Sequence, residues 1–121
     1  MGAFTISKVQ QIVIMSKDTK TSKKFYGEVL RLQRTEEYDG MVFFQIGETI
    51  LMLHPTDEDI PAKSGIEIEF RVDHVKNLVE KVKQSGLGKI IQEPIDREWG
   101  VREVIIEDPN GYEIWFTEAI M

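Results

Sequence analysis

Ile66-Glu67-Ile68-Glu69-Phe70-Arg71-Val72-Asp73-His74-Val75-Lys76-Asn77-Leu78-Val79-Glu80-Lys81-Val82 changes its hydrophobic period halfway along. Up to Val72, apolar residues alternate with Glu67, Glu69 and Arg71, the pattern of a strand buried on one face. From Val75 the apolar residues recur at i, i+3, i+4 and i+7 (Val75, Leu78, Val79, Val82), which predicts a helix with one stripe to bury. Asp73 is the predicted N-cap, and Gly86 is placed to end the helix in a left-handed turn. Three more strands follow: Ile90 to Ile95, Val101 to Glu107 and Tyr112 to Thr117. Asp108-Pro109-Asn110-Gly111 joins the last two, a turn by its chemistry.

The same order is written once before, about 55 residues earlier. Val9 to Met15 reads as a strand and Asp18 as an N-cap. Phe25, Tyr26, Val29 and Leu30 then form two i,i+4 apolar pairs on a helix. A short strand through Tyr38, a turn at Asp39-Gly40, a strand Met41–Ile46, a turn at Gly47-Glu48 and a strand Thr49–Leu53 complete the first copy. Asp-Gly between alternating runs marks a tight hairpin, because that turn needs positive φ. The polar residues 55–64 read as a linker. Each copy alone has too little core, so the two should pack together as one unit.

Bulk properties exclude several functions. Hydrophobic content of 41% and charged content of 30% suit an ordinary folded protein. A net charge of −6 disfavours the broad basic footprint of nucleic-acid binding. Without cysteine there is no disulfide, thiolate metal site or cysteine nucleophile, and His54 and His74 are the only histidines. No apolar run reaches a membrane span, and the N-terminus lacks the regions of a signal peptide. A soluble cytoplasmic protein is the expectation, with neither nucleic acid nor membrane as partner.

The stretches Gln11-Ile12-Val13-Ile14, Asp18 and Phe25-Tyr26, then Val72-Asp73, Val75, Leu78 and Gly86, and finally Trp99-Gly100, Arg102-Glu103 and Asp108-Pro109-Asn110-Gly111, resemble the vicinal oxygen chelate superfamily. This is also called the glyoxalase/bleomycin-resistance/dioxygenase fold, and the Trp-Gly-x-Arg-Glu stretch looks most like its bleomycin-resistance-type branch. The resemblance covers roughly residues 8–117. It implies an α+β fold in which two paired βαβββ modules form an incomplete barrel, with a cup-shaped cleft and helices outside. It also implies one domain, with module one at about 8–54, the linker at 55–64 and module two at about 65–117.

Metalloenzymes of that family place four ligands on the cup, and the matching positions here are Gln11, Met52, Glu67 and Trp115. Gln11 and Glu67 carry oxygen donors. Met52 offers a thioether, a poor partner for divalent first-row metals, and Trp115 has no lone pair. His54 and Glu113 share the faces of Met52 and Trp115 but lie two residues away, about 6.6 Å along a strand. Metal–ligand bonds are about 2.0–2.2 Å long, so two independent displacements are not absorbed. No metal or other cofactor is therefore expected.

Gln11, Met52, Glu67, Glu69, Trp99, Arg102, Glu103 and Trp115 are the candidate ligand-binding residues. Each has a plainer structural reading. Glu67, Glu69 and Arg71 could be a solvated strand face, Trp115 a plug in a disused metal site, and Trp99 a cleft rim or a dimer contact. His54 and His74 read as structural or surface residues, and lysines 17, 20, 23 and 24 as a solvated helix face. The expected function is metal-independent binding of a small organic molecule by a homodimer, with no catalytic residue assigned. An antibiotic, basic ones included, is a candidate ligand. The rival is a divalent-metal-dependent lyase, isomerase or thiol transferase of the glyoxalase I or fosfomycin-resistance kind. A dimerising scaffold without ligand is the third reading.

Overall fold

The computed structural model describes residues 2–60 and 65–121. Of the expected linker 55–64, residues 61–64 lie outside the described residues. Strand β1 (Gln11–Ser16) leads into helix α1 (Thr19–Lys24), which continues as a π-helical turn over Phe25–Val29. Strands β2 (Gln33–Tyr38), β3 (Met41–Ile46) and β4 (Thr49–Pro55) follow, and the order then repeats: β5 (Ile68–Arg71), α2 (Val75–Ser85), β6 (Lys89–Arg97), β7 (Val101–Glu107) and β8 (Glu113–Ala119). Each copy is a four-stranded mixed sheet, ordered β1-β4-β3-β2 and β5-β8-β7-β6, with its first and last strands parallel. The result is two βαβββ modules with open sheets and no closed barrel, as the repeat and the resemblance predicted.

Why these segments adopt these forms is local chemistry. Asp18 caps α1, its carboxylate accepting from the Thr21 N–H at 3.1 Å. Asp39 and Gly40 both take positive φ, +51° and +82°, which fits the two-residue hairpin between β2 and β3. In the π-helical turn the Leu30 N–H reaches back to the Phe25 carbonyl, five residues away. Phe25, Tyr26 and Val29 are all buried there.

Both helices cover the same side of the sheets. Phe44, Leu51 and Leu53 of the first sheet and Val104, Ile106, Ile114 and Phe116 of the second share one core with Phe25, Tyr26, Val75, Val79 and Val82. Close approach at the junction needs Gly88, where an added Cβ would lie 2.8 Å from the Phe25 ring and 3.0 Å from the Glu107 carbonyl. The Tyr26 hydroxyl donates to Asp108 Oδ2 at 2.6 Å, with both groups buried. Asp108 also accepts from the Asn110 and Tyr112 N–H groups and from Asn110 Nδ2, while Ser22 donates to Asn110 Oδ1. The turn read as simple punctuation is thus also the clamp between the modules.

Several details depart from the sequence reading. Asp73 does not cap α2; His74 occupies the cap position without a side-chain bond, and the Val75 N–H donates instead to Glu118 Oε1 at 2.9 Å. That partner is remote in sequence and invisible to a local capping rule. Strand β1 starts at Gln11 rather than Val9, and β5 at Ile68 rather than Ile66. Val9 and Ile66 are exposed apolar residues beyond the ladder. The outer strands β2 and β6 carry register shifts, at Arg34/Glu36 and at Ile90/Gln92 and Gln92/Ile95, whereas β1 and β5 pair without interruption. Among the described residues no helix is long and apolar enough to cross a membrane.

Candidate functional site

With the helices on one side, each sheet leaves its other face open, and strand alternation decides what stands there. On the first sheet the open face carries Gln11, Val13 and Met15 of β1, then Ile50, Met52 and His54 of β4, with Phe43 beyond. Gln11 lies across from Ile50, Val13 from Met52, and Met52 in turn from Phe43. Met52 is only 8% exposed, whereas Val13 remains 44% exposed. His54 stands across from Met15 with its Nδ1 2.9 Å from the Pro55 carbonyl oxygen.

The open face of the second sheet is polar and connected. Ile114 and Phe116 are buried against the helices, so Trp115 stands half-buried on the opposite face, across from Glu69 on one side and Ile105 on the other. Thr117, next along that face, donates to Glu69 Oε2 at 3.3 Å and lies across from Glu103. Glu103 Oε2 accepts from Gln92 Nε2 and from Arg97 Nη2, each at 2.9 Å. Hydrogen bonds from Gln92, then from Arg97, hold the Glu103 carboxyl below the usual carboxylate range against the opposing effect of its burial. The Arg97 guanidinium in turn lies 5.7 Å from the Trp99 ring centre, a cation–π contact at the rim. Trp99 itself is 66% exposed.

Between the facing edges β1 and β5 lies a cavity of about 690 Å³. Ile12, Val13 and Ile46 supply apolar wall, and Glu67, Glu69 and Glu113 supply three carboxylates. This volume falls within the range of small-molecule sites.

The expected residues are therefore distributed unevenly. Glu67 and Glu69 meet in the cavity, Glu69 adjoins Trp115, and Glu103 connects through Arg97 to Trp99. Gln11 and Met52 stand on the other sheet. Arg102 is not with them: it shares the face of Val104 and Ile106, beside the helices, and pairs with Asp96 at 2.7 Å. Its neighbour Glu103 points the other way, as alternation requires. Arg97, Gln92 and Thr117 were missed from sequence. The bulges and Pro94 break the alternation of β6, so no period-two pattern marks its open face.

The positions that the resemblance assigns to metal do not form a donor set. Among the described residues no three His, Cys, Asp or Glu side chains converge to hold a metal ion. The thioether of Met52 is buried in register with Val13 and Phe43, and Trp115 presents a ring where an oxygen donor would be needed.

The fold has many solved relatives. The fosfomycin resistance protein FosX from Listeria monocytogenes superposes with a TM-score of 0.80 at 17% identity, covering 95% of either chain. A hypothetical protein from S. aureus is 26% identical, with a TM-score of 0.75 over 94% of this chain and 98% of its own. Lactoylglutathione lyase from Agrobacterium tumefaciens gives 0.69 at 20% identity over 94% and 95%. Comparison with curated proteins gives no match. The family model described as Glyoxalase/Bleomycin resistance protein/Dioxygenase superfamily matches residues 8–116, nearly the whole length, and the chain belongs to that superfamily.

Proposed function

We propose that this protein binds a small organic molecule on the open sheet faces without a metal, in the manner of the bleomycin-resistance-type branch. The observation that carries the reading is the exchange of two oxygen donors for the Met52 thioether and the Trp115 indole. What remains is a ring able to stack on a planar guest, flanked by the Glu69 and Glu103 carboxylates. The ligand-binding set is Gln11, Met52, Glu67, Glu69, Trp99, Glu103 and Trp115, to which Arg97 is added because it orients Glu103 and covers Trp99. In this reading the protein works as a cytoplasmic homodimer, and sequestering an antibiotic is one role that fits.

A thermal-shift screen of metabolites and antibiotics finds the ligand, and calorimetric titration measures it. Trp115→Ala should then weaken binding by roughly 1–3 kcal/mol through lost stacking and buried area. Unchanged affinity in that variant would remove Trp115 from the site. Gln11 and Glu67 are the residues that speak for the rival, a metal-dependent lyase, isomerase or thiol transferase. A stoichiometric metal in the purified protein, whose removal abolishes turnover, would establish that rival instead.

A further inference from the structure

The molecule is acidic as a whole, yet its charge is unevenly placed. The stretch from Lys17 to Arg34 holds six cationic side chains and only two acidic ones, Asp18 and Glu28, in a chain whose net charge is −6. Lys20, Lys23, Lys24 and Gly27 recur at helical spacing, so they line one flank of α1 and the turn that extends it. Beneath that flank, on the opposite side of the first sheet from its open face, lies a second cavity of about 430 Å³. Its floor is made by Gly27 and the half-buried Leu32, with the fully buried Phe44 ring beneath them, and Arg34 stands on the far wall, across from Phe44 in the β2–β3 register. Glu28 is its one carboxylate.

We propose that this groove is a second ligand site, for a small organic anion with a short apolar tail. The tail would lie on Leu32 and the aliphatic stems of the flanking lysines, and the head among Lys20, Lys24 and Arg34. Two observations favour an anion over a neutral apolar guest. Glu37 already engages Lys23 and Arg34, yet neither Lys20 nor Lys24 forms an ion pair among the described residues. The hydrogen bond from Lys23 holds the Glu37 carboxyl below its usual range, so a cation on this flank already acts on a nearby anion. Gly27 lets the helix pack closely on the floor: an added Cβ would sit 3.3 Å from Phe44 Cε1. Carboxylate and phosphate heads share the required chemistry.

Backbone amide shifts during titration with octanoate and with octyl phosphate test the site, with octyltrimethylammonium as the tail-matched cation. Saturable shifts centred on Gly27, Leu32 and Phe44 with either anion support it; response to the phosphate alone assigns the head as phosphate. The double variant Lys20→Glu/Lys24→Glu, altered only at exposed positions, should weaken the anion by about tenfold. Equal binding of the cation, an unchanged affinity in the charge-reversed variant, or shifts confined to the β1–β5 cavity would overturn the proposal. None of these results depends on Trp115, so the open-face reading stands or falls separately.

Discussion

Tyr26→Phe removes one oxygen atom and tests how the two modules are held together. That hydroxyl is buried and donates at 2.6 Å to a carboxylate that is itself 2% exposed. A hydrogen bond to a charged group is worth about 1.5–3 kcal/mol. Asp108 keeps three other donors, at 2.9, 2.9 and 3.0 Å, so the expected loss is about 2 kcal/mol. With an unfolding entropy near 2.1 cal/mol/K per residue, the 121 residues give ~0.25 kcal/mol/K, and the midpoint should fall by about 8 °C. Calorimetry and urea unfolding measure both quantities, and a double-mutant cycle with Asp108→Asn isolates the pair. A second signature lies at high pH. Burial first, and then Asp108, raise the Tyr26 pKa well above its ordinary 10.0. The fold therefore favours the neutral phenol: its contribution is complete below pH 10.0 and is lost as pH climbs from there towards the folded value. Tyr26→Phe should abolish that alkaline loss. A cost under about 0.5 kcal/mol, or strict additivity with Asp108→Asn, would refute the clamp.

Three further outcomes follow from the described contacts. Gly88→Ala should cost about 1–3 kcal/mol by urea unfolding, because its Cβ meets the Phe25 ring and a backbone carbonyl. Glu118→Ala should lower stability by about 1 kcal/mol and raise amide exchange at Val75, whose N–H loses the carboxylate it donates to. The folded Glu103 pKa lies below the ordinary 4.5, so its share of stability is present above that pH and is lost as pH falls through the folded value. Glu103→Gln should flatten the acid limb of a urea-midpoint profile between pH 7 and pH 3.

The repeat was legible because Val75, Leu78, Val79 and Val82 keep helical spacing and because Asp39-Gly40 demands a tight turn. Trp115 could be assigned its face from Ile114 and Phe116 alone. The same alternation separates Arg102 from Glu103, so placing both in the cleft set aside a signal that was present. Other features left no local trace. The cap of α2 comes from β8, the clamp joins residues 82 apart, and bulges erase the pattern of β6 that would have exposed Gln92 and Arg97.

The interrupted registers of β2 and β6 bear on how the protein behaves when concentrated. An uninterrupted outer rim is a template on which another chain can add strand after strand. Here both rims are kinked, and β2 is exposed along all six residues, with Arg34, Glu36 and Glu37 among them. Bulged, charged rims of this kind disfavour ribbon-like polymers growing outward.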